Sequence, residues 1–197
     1  MTALALWING PGTVALDPAS DGVGAVLVET RFSGISRGTE ALVLAGRVPV
    51  HEHERMRAPL QEGDFPWPVK YGYAAVGCVL DGPERLLGKA VFVLHPHQDR
   101  FRVSEAMCLA VPAGVPPERA ILAANMETAL NVVWDAGIGP GDRVAVVGAG
   151  VVGALAGWLA ARAPGTEITL VDVKPARAAL AEALGCAFSA PEAAPRD

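Results

Sequence analysis

The stretch GDRVAVVGAGVVGALAGWLA, residues 141–160, decides the fold of this chain. From Val144 to Ala161 it carries no charge, which approaches the length of a membrane-spanning helix. Its interior argues otherwise. Val144, Val146 and Val147 form a short β-branched run, as strands do, and Gly148, Gly150 and Gly153 then interrupt it. A single apolar helix has no need of that punctuation, and no basic residues flank it as topology anchors. A buried strand, a tight turn and a buried helix account for the sequence.

Reading outward, a second strand, EITLVDV, and a second helix, PARAALAEALG, follow. Upstream, PPERAILAANMETALNVVWDAG is expected to be one helix, with Pro117 in its first turn and Gly137 as its stop. Strand, helix, strand, helix is the start of a doubly wound parallel sheet. Residues 1 to about 115 have a different texture: LALWI, TVAL, GAVLVET, AAVGCVL, KAVFVL and RFRV are short β-like runs separated by Gly and Pro. That spacing predicts a small barrel or sandwich. Residues 47–68, with Pro49, Pro59, Pro66 and Pro68, read as a long loop or lid.

Gly148-Ala149-Gly150-Val151-Val152-Gly153 is G-x-G-x-x-G after a strand and at the opening of a helix. Gly148 permits the tight turn, Gly150 lets the backbone approach a pyrophosphate, and Gly153 lets the helix pack close to the strand. The helix start offers unpaired N–H groups and a positive dipole end to phosphates. Asp172 closes the next strand, 19 residues after Gly153. Its carboxylate would accept hydrogen bonds from the adenosine ribose and repel a 2′-phosphate, so NAD is expected over NADP. Lys174 and Arg177 oppose that preference, because a basic pair there tolerates the phosphate.

The bulk composition fits a folded chain. Of 197 residues, 51% are apolar and 19% charged, enough for a core and unlike a disordered chain. A net charge of −5 with scattered Lys and Arg disfavours nucleic acid and anionic membrane as partners. Cys78, Cys108 and Cys186 are far apart, without a C-x-x-C, and read as small buried side chains in a reducing, cytoplasmic setting. There is no basic leader ahead of an apolar block.

Several motifs together resemble the medium-chain dehydrogenase/reductase superfamily, in its alcohol dehydrogenase-like form. FSGISRGTE (32–40) looks like that family's G-I-C-x-T-D segment, and FPWPVKYGYAAVGCV (65–79) like its F-P-x-x-x-G-H-E-x-x-G-x-V segment. GKAVFV (88–93) is similar to its G-D-R-V strand, and ETALNVVWDAGIGPGDRVAVVGAGVVG to its helix-to-Rossmann joint. FSGISRGTE looks closest to a branch that includes the dehydrogenase of bacteriochlorophyll synthesis. The resemblance implies a mixed β and α/β fold. A GroES-like β-rich catalytic domain would span 1–122, and the first β-α-β-α part of an NAD(P)-binding Rossmann domain would span 123–197. It further implies an oxidoreductase acting on a small alcohol, ketone or enone. Thr128 matches a family position near the nicotinamide, and Arg37 one that reaches the pyrophosphate.

The departures bear on mechanism. Where zinc members of the family carry Cys, His and a third ligand, this chain carries Ser36, Tyr73 (followed by Ala74 in place of Glu), and a position near Ala124. A hydroxyl is a poor zinc ligand beside a thiolate or imidazole, and the four-cysteine lobe is missing between Val93 and Arg102. No zinc is therefore expected. A metal-free site must use side chains for the proton or the developing alkoxide. Ser36, Tyr73 and His97 are the candidates, His97 by its intrinsic pKa. Their bland alternatives are a turn hydroxyl, a barrel-wall ring and a solvated loop histidine. His51 and His53, alternating with Glu52 and Glu54, read as an exposed charged face.

Only two strands and two helices of the six-stranded Rossmann motif are legible. The expectation is a C-terminally truncated form of a longer protein, whose oligomeric state is left open, a homo-oligomer being one option for the full-length form. Val144, Val146, Ile168 and Leu170 would then face an unfinished sheet. The alternative is a non-catalytic remnant or a module that binds a nucleotide or a partner.

Overall fold

The computed structural model describes residues 2–194. The chain forms two compact units, one ending at Ala123 and the other beginning at Ala124.

The first unit is built from antiparallel strands. β1 (Ala3–Gly10) and β2 (Thr13–Ala19) form a hairpin. After β3 (Val26–Ser33) the chain enters α1 (Arg37–Leu44). Two short strands follow, β4 (Glu62–Gly63) and β5 (Val69–Lys70), and then β6 (Ala75–Asp81). β7 (Ala90–Val93), β8 (Arg100–Val103), β9 (Leu109–Ala110) and the single turn α2 (Pro117–Ala120) complete the unit. One sheet has the order β2-β1-β5-β4 and the other β8-β3-β6-β7-β9. The alternation of these strands sets the two cores. Val26, Val28, Val79, Val91, Val93, Phe101 and Val103 meet in one; Ile8, Val43, Val48, Val69 and Tyr71 meet in the other.

The segment between β7 and β8 stitches the two sheets together. Leu6 on β1 donates its N–H to the His97 carbonyl (2.9 Å), and Asp99 donates to the Leu4 carbonyl (3.0 Å). Thr30 on β3 donates to the Asp99 carbonyl (2.8 Å), and His97 to the Tyr71 carbonyl (3.2 Å). His97 is therefore fixed by backbone bonds on both sides.

The second unit takes up α3 (Ala123–Asp135), β10 (Arg143–Val147), α4 (Val151–Ala160), β11 (Glu167–Val171), α5 (Ala178–Ala183) and β12 (Ala187–Ser189). Its three strands lie parallel in the order β10-β11-β12. The charge-free stretch of residues 144–161 thus divides into strand, turn and a ten-residue helix. Among the described residues no helix is long and apolar enough to cross a membrane.

Four expectations need correction. The sheet has three strands, not two: Thr169, Leu170 and Val171 pair in parallel with Ala187, Phe188 and Ser189. Ile168 and Leu170 do not face an open side but are buried, with Val144 and Val146 half-buried beside them. It is Ala145 and Val147 that are exposed, Val147 by 86%. The helix expected from residue 116 onward is broken at Ile121 and Leu122. At this break Ile121 packs so close to Gly34 that a Cβ there would lie 2.8 Å from its Cγ1. Cys78 and Cys108 are only half-buried, while Cys186 is buried.

Candidate functional site

The turn between β10 and α4 is shaped by its glycines. Gly148 has φ +101°, in the region L side chains avoid. Gly150 stands at the start of α4 with φ −75°, and a Cβ added there would meet nothing within 4 Å. Gly153 has no such room: a Cβ would overlap the Gly148 carbonyl oxygen and sit 3.4 Å from Val146 Cγ1. Gly157, one turn on, would press a Cβ to 2.6 Å from Leu170 Cδ2. The glycines at 153 and 157 thus seat α4 on β10 and β11. No side chain caps the helix, so its first-turn N–H groups, from Val151, Val152 and Gly153, have no intrahelical partner.

Asp172 lies directly after β11, beneath this turn. One carboxylate oxygen accepts the Ala149 N–H at 2.8 Å and the other the Lys174 N–H at 2.9 Å. The Lys174 and Ala149 N–H groups, with the charges of Arg177 and Lys174, hold its carboxyl below the ordinary carboxylate range. Ala149 therefore spends its N–H on Asp172, and the open donors of the turn come from Gly150 onward. An uncapped helix start, an open Gly150 and an acid at the strand end suit a diphosphate and a ribose.

Two further expected cofactor residues stand on helices. Thr128, exposed on α3, donates its hydroxyl to the Ala124 carbonyl one turn back (3.1 Å). Arg37 is an exposed first-turn residue of α1.

In the first unit, the three proton candidates differ in environment. Ser36 is the half-buried residue preceding α1, and its hydroxyl caps no helix N–H. Tyr73 is half-buried, packed against the second core and edge-on to Tyr71 with ring centroids 6.2 Å apart. Burial, with the neighbouring Tyr73 and Glu40, pushes the Tyr71 phenol up to about 12, and its hydroxyl donates to the Met56 carbonyl at 2.8 Å. His97 is not a solvated loop histidine: it is 8% exposed. Its Nε2 faces Glu40 Oε2 at 2.7 Å and its Nδ1 is hydrogen-bonded to the Ser33 hydroxyl. Glu40 Oε1 accepts the Ser36 N–H at 2.6 Å, so Ser36 and His97 are joined through Glu40.

Glu40 and Ser33 are the residues that sequence reasoning passed over. The one local signal is an acid four residues after Ser36 that turns back onto the helix start. A second buried polar group was also missed: Lys70, 2% exposed, donates to Glu62 and to Gln98 Oε1 (2.9 Å). His53 departs from its expected exposed face, with its ring 5.3 Å from Phe65 and its Nε2 3.3 Å from the Val48 carbonyl. His51 is exposed beside Glu52. Among the described residues no three His, Cys, Asp or Glu side chains form a group that could hold a metal ion.

No protein-family model and no curated protein sequence matches the chain. Its structure does match solved ones. The quinone oxidoreductase of Thermus thermophilus, solved also with NADPH, aligns with a TM-score of 0.71 at 23% identity, over 95% of this chain and 59% of that one. The 2R,3R-butanediol dehydrogenase of Bacillus subtilis gives 0.77 at 18% identity, over 99% and 65%. A short chain alcohol dehydrogenase of Escherichia coli, solved with NADH, gives 0.78 at 15% identity, over 99% and 64%. The chain spans about six-tenths of the length of these proteins. At such identities the likeness is one of fold, and that fold is an antiparallel, GroES-like β unit followed by the opening strands of a Rossmann sheet, as in alcohol dehydrogenase-like oxidoreductases.

Proposed function

We propose that this chain is a nicotinamide-dependent oxidoreductase module of the medium-chain dehydrogenase/reductase kind. In this reading it moves hydride between NAD and a small alcohol, ketone or enone without zinc. The observation that carries the reading is the turn from Gly148 to Gly153. It combines an uncapped helix start, a Gly150 position with open space around it, and Asp172 anchored at the adjoining strand end. The backbone of Gly150, Val151 and Val152 would hold the diphosphate, and Asp172 the adenosine ribose. Lys174 and Arg177 flank that ribose position, and Arg37 and Thr128 are proposed contacts of the remainder. The nicotinamide supplies the hydride acceptor or donor when bound. For the accompanying proton, the Tyr73 and Ser36 hydroxyls are the available groups. His97, enclosed by Glu40 and Ser33, exchanges protons only through them. Zinc independence rests on the donor chemistry of Ser36, Tyr73 and the position near Ala124, which offer no thiolate or imidazole.

Titration with NADH and NADPH tests this reading. NADH is expected to bind more tightly, because the Asp172 carboxylate repels a 2′-phosphate. Asp172→Ser removes that repulsion, so the preference for NADH over NADPH should narrow. If neither nucleotide binds, the reading fails. Binding without turnover across a panel of alcohols and enones would reduce it to a nucleotide-binding module.

A further inference from the structure

One constellation in the first unit stands apart from hydride transfer. Ser33, His97 and Glu40 form an unbroken hydrogen-bond chain, although 64 residues separate Ser33 from His97 and 57 separate Glu40 from it. We propose that Ser33 is an activated nucleophile that accepts acyl groups from small carboxylic esters. In this proposal His97 is the general base and Glu40 the carboxylate that orients it.

The direction of the chain follows from its donors and acceptors. The Glu40 carboxylate only accepts, and the Ser36 N–H already holds one of its oxygens at 2.6 Å. The His97 nitrogen facing it, Nε2, therefore carries the ring proton, which leaves the Nδ1 lone pair toward the Ser33 hydroxyl, whose other acceptor, the Ala74 carbonyl, is farther away at 3.4 Å. A hydroxyl, a base and a third group orienting the base make the arrangement of an activated serine. The two ring nitrogens exchange the places they hold in serine proteases. The imidazole has little freedom to turn away. Its backbone is bonded to Leu6 and Tyr71, and at Gly72 (φ +119°) a Cβ would lie 2.8 Å from its Cδ2 and Nε2. The side chains of His97 and Glu40 are each 9% exposed, whereas Ser33 is exposed at the end of β3. The base is dry and the nucleophile is reachable.

In the reaction, a bond forms between Ser33 Oγ and the ester carbonyl carbon as the hydroxyl proton passes to His97 Nδ1. The ester C–O bond then breaks, and the departing alkoxide takes that proton. Water, deprotonated in turn by His97, releases the carboxylic acid and restores the hydroxyl. No electrons are exchanged with any cofactor.

The probe is p-nitrophenyl acetate, added to the whole chain while nitrophenol release is followed and the acetyl group is located by peptide mass spectrometry. A burst of about one equivalent is expected, with the acetyl group on Ser33. General-base assistance is worth about 10² or more, so acetylation of Ser36, which lacks a histidine partner, should be slower by about that factor. His97→Gln should slow the burst by a similar factor. Ser33→Ala, a change at an exposed hydroxyl whose fold is checked by circular dichroism, should abolish it. The proposal is overturned by a burst that survives Ser33→Ala, by equal acetylation of Ser33 and Ser36, or by no burst in the unaltered chain.

Discussion

His95 is a buried imidazole that is kept neutral. It stacks on Phe101 with ring centroids 3.7 Å apart and planes 8° from parallel, and its Nδ1–H donates to the Pro96 carbonyl at 2.8 Å. Burial lowers its pKa from 6.5 to about 4, and that carbonyl bond only partly opposes the shift. Between those values the unfolded chain takes up a proton that the folded chain refuses. Stability is therefore highest above pH 6.5, falls as the pH drops toward 4, and loses nothing further to this group below that. The loss amounts to about 3 kcal/mol. Urea unfolding at neutral pH and near the lower limit should show it in the unaltered protein, and His95→Phe should remove about that much of the acid sensitivity. Equal acid sensitivity in both proteins would refute the assignment.

For the elements, the informative pair is Gly150 and Gly153, three positions apart in one turn. Gly153→Ala forces a methyl group into the Gly148 carbonyl. Overpacking of that kind costs about 1–3 kcal/mol or more, and the variant should melt early. Gly150→Ala has an ordinary φ and empty space around it, so its melting temperature should barely change. It should nonetheless lose affinity for NADH, because the methyl group occupies the approach to the backbone. Differential scanning calorimetry beside a nucleotide titration separates the two outcomes. The strand–turn–helix around these glycines is legible in the sequence because its determinants are local: a β-branched run, a required positive φ and a charge-free helix. β12 is not legible, because three residues give too little alternation, and only the parallel pairing with β11 defines it as a strand. The break between α2 and α3 is hidden for a related reason. Ile121 is an acceptable helix residue, and its close approach to Gly34 is a tertiary contact that no local pattern announces.

On the scale of the whole molecule, the two sheets of the first unit depend on buried polar bonds at the segment around His97. Gln98, 4% exposed, accepts from Lys70 on β5 and donates to the carbonyls of Ser20 (2.9 Å) and Arg100 (2.6 Å). Gln98→Ala would strip one partner from the buried Lys70 ammonium and remove the amide that now donates to the part-buried carbonyls of Ser20 and Arg100. Taking a partner from a buried polar group costs about 1–3 kcal/mol, so the urea midpoint should fall by an amount in that range. A change under about 0.5 kcal/mol, the range of ordinary surface substitutions, would show that these bonds do not hold the sheets.

What the sequence determined by itself is what repeats or turns locally. Alternating apolar residues specify the strands, glycines at fixed spacing specify the turn ahead of α4, and the acid after β11 lies within reach of that turn. These follow from side-chain periodicity and backbone dihedrals, which need only neighbouring residues. The tertiary structure alone decided which distant polar groups met. It enclosed His97, which the sequence allowed to be a solvated loop residue, between Ser33 and Glu40, and it placed Lys70 in the interior with Gln98 and Glu62. It also covered Ile168 and Leu170 while leaving Val147 bare. A buried polar group is tolerated only where its partners arrive from elsewhere in the chain, and that arrival is fixed by how the sheets pack, not by any local pattern.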